Sequence, residues 1–359
     1  MKNITKGKIM NNFKKIGLSA LAGSLAMVSA NAVEYTMSGE IASSFQTAKG
    51  DVGSTEASNG KGFGTETDLT FTASGELDNG FTVDMLMGVD TASALTNSSS
   101  QVTLGMGSLG ALRLNHIGGS SANAIDDVMP SAYQETWDGL SDGSNPSFFG
   151  DMNSSGSIEY RTPAVEYSGV TVSATVLYDP NSASQSATGA VTGGTVGVRG
   201  VGNGPSGQSA TIKLSHASGI EIGGGIEEAN DDAGMAGVMG NSSQQTGYIK
   251  YSMGPLTVGY QEAYDNSRHS TTVVGRDQSA TFTGIAYTAG DLTVSYGESS
   301  LEQTAIGATV ATEEDFESIQ AAYTMGAMTI SAAVSETTGV GGVAAQTFDT
   351  NVLAVSFAF

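Results

Sequence analysis

Carboxylates are the side chains of this sequence best placed to do chemistry. The segment 117–156 holds Asp126, Asp127, Glu135, Asp138, Asp142 and Asp151, with no Lys or Arg among them. Gathered in a narrow aqueous passage, such a cluster lowers the barrier for cations and raises it for anions. Basic residues are scarce, and Arg113, Arg161, Lys213 and Lys250 are the ones that stand inside patterned segments. Covalent chemistry has less to build on. Cysteine is absent, which removes thiolate nucleophiles, disulfides and thiolate zinc sites together. His116, His216 and His269 have no recognisable Ser or Asp partner, and Ser215 beside His216 would face the opposite side of a strand. No catalytic residue and no structural metal site is therefore expected. Hard-oxygen clusters at Glu227-Glu228 with Asp231-Asp232, and at Glu313-Glu314-Asp315, could hold Ca²⁺ or Mg²⁺ weakly, and no other cofactor is implied.

The charge balance narrows the partners. The 359 residues carry 36 acidic and 14 basic side chains, a net charge of −22, which argues against a nucleic-acid partner because phosphate contacts need clustered Lys and Arg. Lys14 and Lys15 precede the apolar run 16–28, and Ser29-Ala30-Asn31-Ala32 follows it. A positive start, a short apolar core and an A-x-A site read as a secretory signal peptide over residues 1–32, with translation starting at Met1 or Met10. Removing it takes five lysines and no acid, so residues 33–359 carry nine basic against 36 acidic residues, a net charge of −27.

The elements that must position these groups are strands. After Ala32 no apolar stretch is long enough for a transmembrane helix, and alternation of apolar and polar residues recurs instead. Leu69, Phe71 and Ala73 alternate with Asp68, Thr70 and Thr72, and a turn at Asp78-Asn79-Gly80 leads into Phe81, Val83, Met85 and Met87. Sixteen strands are predicted, near 35–46, 66–77, 81–90, 101–108, 110–116, 157–162, 169–178, 209–216, 220–228, 247–253, 256–263, 280–288, 292–298, 316–325, 327–335 and 348–359. Short turns alternate with eight long polar loops, and 117–156 is the third and longest. That is the layout of an all-β, antiparallel up-and-down barrel of the outer membrane, forming one domain over 33–359. A secreted β-sandwich or β-solenoid is the competing reading.

Parity separates the two. With the apolar set facing outward, Glu40, Asp68, Asp84, Arg113, Glu159, Arg161, Lys213, Glu221 and Lys250 all face inward. On the lipid face at mid-bilayer an Arg or Lys would cost ~2–4 kcal/mol. Glu262, Glu298, Glu317 and Asp349 break the parity, and they are expected at strand ends beside long loops. Tyr35, Tyr160, Tyr178, Tyr251, Tyr260, Tyr287, Tyr296, Tyr323 and Phe359 lie mostly near strand ends with outward parity, as interfacial girdles require.

Three segments resemble a known family. The closing strand Leu353-Ala354-Val355-Ser356-Phe357-Ala358-Phe359 resembles the C-terminal assembly signal of outer-membrane barrels. Leu109-Gly110-Ala111-Leu112-Arg113-Leu114, ahead of the acidic loop, resembles the strand that enters the constriction loop of Gram-negative general porins. Ser157-Ile158-Glu159-Tyr160-Arg161-Thr162-Pro163, followed by Tyr167-Ser168-Gly169, resembles the next hairpin of those porins. Where the family often has Gly-Arg, this chain has Leu114-Asn115, which leaves open which basic residue faces the loop.

The resemblance implies a homotrimer of 16-stranded, water-filled channels whose third loop folds into the lumen. It implies an outer-membrane location, with membrane lipid, lipopolysaccharide, ions and small hydrophilic solutes as partners. Asp126, Asp127, Glu135 and Asp138 are then the acidic side of a constriction, and Arg113, Arg161, Lys213 and Lys250 the basic wall. Two alternatives sit beside this site reading: the Asp pair is plain solvated loop, or the basic residues pair with Glu159 and Glu221 along the wall. The function expected is passive diffusion with a preference for cations. A surface adhesion barrel and a substrate-specific channel are the competing functions.

Overall fold

The computed structural model describes residues 33–50, 59–90, 96–117, 122–138, 146, 149, 156–180, 206–230, 242–267, 276–305 and 312–359. Asp142, Asp151, Asp231, Asp232, His269 and the expected signal peptide lie outside them. Seventeen strands form one antiparallel sheet: β1 (Glu34–Gly50), β2 (Gly60–Glu76), β3 (Thr82–Asp90), β4 (Thr96–Gly105), β5 (Ala111–Ile117), β6 (Ser157–Arg161), β7 (Val165–Tyr167), β8 (Val170–Asp179), β9 (Gly207–His216), β10 (Ile220–Ala229), β11 (Ser242–Met253), β12 (Leu256–Ser267), β13 (Arg276–Ala289), β14 (Leu292–Ala305), β15 (Thr312–Met325), β16 (Met328–Thr338) and β17 (Thr347–Ala358). β6 and β7 both pair with β8 and make one interrupted stave, so the sheet has the expected sixteen. The break falls at Pro163, which has no N–H to give to a ladder. Thr162 bridges it: its N–H donates to the Ala174 carbonyl at 2.9 Å, and its Oγ1 accepts from the Ala174 N–H at 2.9 Å.

The sheet closes on itself. β17 pairs with β1 from Glu40↔Ala358 to Gly50↔Phe348. Gly39 and Phe359 then exchange two backbone hydrogen bonds of 2.9 Å, so the terminal residue itself completes the seam. A Cβ on Gly39 would lie 2.8 Å from the Phe359 ring, so the ring needs glycine beneath it. Closure leaves no unpaired edge, and in hydrocarbon every backbone group must be paired. No helix of the described residues is long and apolar enough to cross a membrane, and the strands do the crossing. At the short turns the chemistry is local. Gly80 takes a φ of 78°, and the Asn79 side chain accepts the Phe81 N–H at 3.0 Å.

Faces follow the predicted parity. Ile41, Val102, Ile158, Ile212, Ile249, Ile285 and Leu353 are exposed on the outer surface. Register pairs the inward set across strands: Glu40 with Asp68, Arg113 with Glu159, and Glu221 with Lys250.

Two expectations are corrected. Glu262, Glu298, Glu317 and Asp349 do face outward, and Asp349 sits at the start of β17 as expected, but Glu262, Glu298 and Glu317 do not sit at strand ends, because β12, β14 and β15 run on for several more residues. Beyond the apolar band both faces turn polar, so the alternation fades while the hydrogen-bond ladder continues. The inner face is also not uniformly polar. Phe282, Leu301, Phe316 and Phe348 are fully buried, on inward parity, in one cluster with Ala263, Ala280, Val340 and Trp137. Trp137 comes from the third loop, and its ring meets Phe282 at 5.4 Å, tilted 56°. The loop therefore brings its own apolar anchor and finds a seat prepared on the wall.

Candidate functional site

The third loop enters the lumen from β5 and lies along the inner wall of β10 to β15. Three inward glycines, Gly259, Gly284 and Gly297, stand in one register line across β12, β13 and β14. A Cβ at Gly259 would come within 2.9 Å of Met129. One at Gly284 would come within 3.0 Å of Pro130, and one at Gly297 within 2.7 Å of Thr136. The wall is thus cut back by a side chain on each of three strands where the loop crosses it. Phe149 fills a similar gap over Gly225, and it clusters with Ala122, Ile125 and Tyr248.

Amides and hydroxyls of the wall then hold the loop backbone. Gln261 accepts the Val128 N–H at 3.0 Å and donates to the carbonyls of Ile125 and Asp126 at 3.0 and 2.9 Å. Gln320 accepts from Tyr133 and Gln134 at 2.9 and 3.0 Å and donates to the Gln134 carbonyl at 2.7 Å. Ser295 accepts the Ala132 N–H at 2.8 Å, and Ser299 bonds Thr136. A loop that leaves its backbone groups unpaired inside a protein costs ~1–3 kcal/mol per group, and these side chains remove that cost. None of them is among the residues expected from the sequence. The signal that marks them is an inward-parity Gln or Ser with an inward glycine on a neighbouring strand.

The expected acidic residues gather on this seated loop. Asp127 accepts the Met129 N–H at 2.7 Å, Asp126 accepts the Asp127 N–H at 2.7 Å, and Asp138 accepts the Glu135 N–H at 3.1 Å. Burial raises Glu135 to about 8, and the carboxylates of Asp138, Asp127 and Asp126 add to the rise. Burial likewise raises Asp127 to about 6, against the Met129 N–H and Lys250, which favour its charged form. Asp138 is also raised by burial, with the Glu135 N–H opposing. Further along the loop the Tyr133 hydroxyl is raised, first by burial and then by Asp138, Glu40 and Glu66. The loop therefore comes within electrostatic reach of the β1–β2 wall. That wall is acidic too: carboxylate oxygens of Glu66, Asp68 and Asp90 lie within 4.8 Å of one another. Sequence parity places Glu40 and Asp68 inward without assigning them to the site.

The four expected basic residues gather beside the start of the same loop, with Lys250 in electrostatic reach of Asp127. Arg113, Arg161, Lys213 and Lys250 line a recess of about 710 Å³ between the wall and the start of the loop at Ala124, Ile125 and Val128. The wall pairs weighed as the alternative do form. Arg161 pairs with the fully buried Glu159. Glu221 takes Lys213 at 2.8 Å and Lys250 at 3.1 Å, and it accepts from the Tyr248 hydroxyl at 3.2 Å. Arg113 forms no ion pair among the described residues, and its Nε is buried without a hydrogen-bond partner.

In the candidate cation clusters the described carboxylates divide between the two faces of the wall, and Asp231 and Asp232 lie outside the described residues. Glu227 is fully buried on the inner face of β10, while Glu228 is on the outer face and accepts from Gln208 at 3.0 Å. Glu314 is likewise buried, whereas its neighbours Glu313 and Asp315 are exposed. Adjacent residues of a strand point to opposite sides, which separates each run of carboxylates. His216 bonds Ser218 at 2.8 Å within the β9–β10 turn, which accounts for its position there.

Comparison with known proteins agrees with this geometry. A model of the family described as Gram-negative porin matches residues 17–359. No curated protein sequence matches. The fold is similar to solved outer-membrane proteins. The trimer form of OmpT of Vibrio cholerae is 9% identical, with a TM-score of 0.62 over 91% of this chain and 100% of its own. An anion-selective porin from Comamonas acidovorans is 12% identical, with a TM-score of 0.63 over 91% and 100%. OmpF of Salmonella typhi, solved with daunomycin, is 11% identical, with a TM-score of 0.63 over 90% and 97%.

Proposed function

The chain belongs to the Gram-negative porin family, outer-membrane channels for passive diffusion, and from that premise we propose that this channel prefers cations. One observation carries the preference: the loop carboxylates Asp126, Asp127, Glu135 and Asp138 lie close enough to act on one another, and Tyr133 on the same loop feels both Asp138 and the wall acids Glu40 and Glu66. A cation passing between them meets negative charge from both sides, and an anion meets a barrier. An anion-selective neighbour of the same fold argues that preference is a matter of side chains and not of the barrel. Asp126, Asp127, Glu135 and Asp138 are the acidic constriction in this reading. Ions and small hydrophilic solutes are what passes, and no step of chemistry is needed.

A homotrimer is the assembly we favour. The outward tyrosines lie on Tyr35 and then from Tyr160 to Tyr323, while β2 to β5 and β16 to β17 carry none. A seven-strand arc with Tyr35 as its single outward tyrosine fits an arc covered by neighbouring copies, with lipid and lipopolysaccharide against the rest. The test of function is the reversal potential of the purified protein in a planar bilayer under a KCl gradient. A potential of the sign set by potassium supports the reading. One set by chloride overturns it.

A further inference from the structure

We propose that the recess beside the start of the third loop is a binding site for a small hydroxylated carboxylate, such as a sugar acid. This goes beyond the cation preference proposed above, and it rests on a different part of the lumen. Of the nine basic residues in 33–359, four converge here: Arg113, Arg161, Lys213 and Lys250. Glu159 and Glu221 form the ion pairs among them and Asp127 of the loop is within electrostatic reach of Lys250, so the recess keeps one uncompensated positive charge inside a chain of net charge −27 over 33–359. Arg113 is the group most in need of a partner, with no ion pair among the described residues and a buried Nε that bonds nothing. A guanidinium offers a planar fork that matches a carboxylate with two parallel hydrogen bonds.

The remaining lining suits the rest of such a solute. Thr162, Ser173, Thr175 and Thr211 present hydroxyls, which can both donate to and accept from the hydroxyls of a sugar acid. The apolar side chains of Ile125 and Val128, on the loop, close the opposite side against the carbon skeleton. The volume of about 710 Å³ falls within the ~300–1,000 Å³ usual for small-molecule sites. Lys213 and Lys250 do not leave Glu221 to meet the solute; they cancel its repulsion, and the surplus charge of the recess attracts the carboxylate.

The test uses gluconate, with the uncharged sorbitol as its control, on the whole protein. Gluconate added to a conducting channel in a planar bilayer should interrupt the potassium current, with interruptions at least tenfold longer than those from sorbitol. The double substitution Arg113→Gln/Lys213→Gln removes two charges, yet leaves Arg161 to Glu159 and Lys250 to Glu221, so neither acid is stranded. It should bring the gluconate interruptions down to the sorbitol level. Glu221→Gln removes the negative charge and should lengthen them. Calorimetric titration of the detergent-solubilised barrel with gluconate reads the same site without current, so loss of conductance would sink only the channel reading. Gluconate indistinguishable from sorbitol in the wild-type protein overturns the proposal, as does unchanged gluconate binding in the double variant.

Discussion

Two regions of one lumen carry opposite charge for different structural reasons. On the third loop Asp127, Glu135 and Asp138 lie among other carboxylates, and backbone N–H groups stabilise two of them, Asp127 and Asp138. In the recess each acid has a basic partner on its own or a neighbouring strand, and Arg113 remains as surplus. The difference teaches where charge can be left unneutralised. A loop supplies turning backbone that can donate to a carboxylate, as the Met129 and Glu135 N–H groups do. A strand spends its N–H groups on the ladder, so a wall carboxylate must find a side chain instead. The loop region therefore keeps like charges together, and the recess pairs unlike ones.

Removing the anchor that keeps the two regions apart should have the largest effect. Trp137→Ala empties a buried site whose loss costs ~3–5 kcal/mol in a packed core. The loop should leave its seat, raising single-channel conductance and erasing the difference in charge between the regions. An unchanged conductance would mean that the glycine line and the glutamines hold the loop without it.

Next in size is removal of charge from the loop. The triple variant Asp127→Asn/Glu135→Gln/Asp138→Asn leaves the seat in place and takes away the carboxylates. An ion passing ~7 Å from one charge in water gains ~0.6 kcal/mol, so three, all ionised above pH 8, supply roughly a twentyfold enrichment of cations before screening. The reversal potential should fall toward zero. If it holds, the β1–β3 wall sets the selectivity alone.

The smallest effect expected is that of pH. Glu135 at about 8 and Asp127 at about 6 are both raised above their ordinary values, so their neutral forms are favoured in the folded protein. Lowering the pH from 9 to 5 should protonate Glu135 first and Asp127 second, and the reversal potential should shrink in two steps. Stability runs the other way. The stabilisation from proton uptake is complete below the ordinary values and is lost as the pH rises through 6 and then 8. Protection of the amides in residues 122–138, taken relative to the base-catalysed exchange of a free peptide, should accordingly fall between pH 5 and pH 8, and a flat protection profile would contradict the burial of Glu135.

Much of the barrel is legible in the one-dimensional pattern. The alternation at 66–77 and 81–90 spells out strands, and their faces place Glu40, Arg113 and Lys250 in the lumen. The acids of 126–138 mark the loop. The inward phenylalanines are not legible, because Phe282 or Phe348 on an alternating strand looks the same whether it faces lipid or a docked tryptophan. Gln261 and Gln320 escape notice for a similar reason: an inward amide is unremarkable until a loop crosses it. The runs Glu227-Glu228 and Glu313-Glu314-Asp315 look like clusters in one dimension, and the pleat disperses them.

The sequence by itself determined the closed barrel, the side of the wall each residue faces, and the identity of the acidic loop. Those depend on a two-residue period and on local turns, which are properties of neighbours along the chain. Only the tertiary structure decided where the loop lies, which carboxylates it joins, and that the basic residues form a recess. These depend on strand register around a closed sheet, which brings Arg113 and Lys213, or Tyr133 and Glu40, together across long separations in the chain.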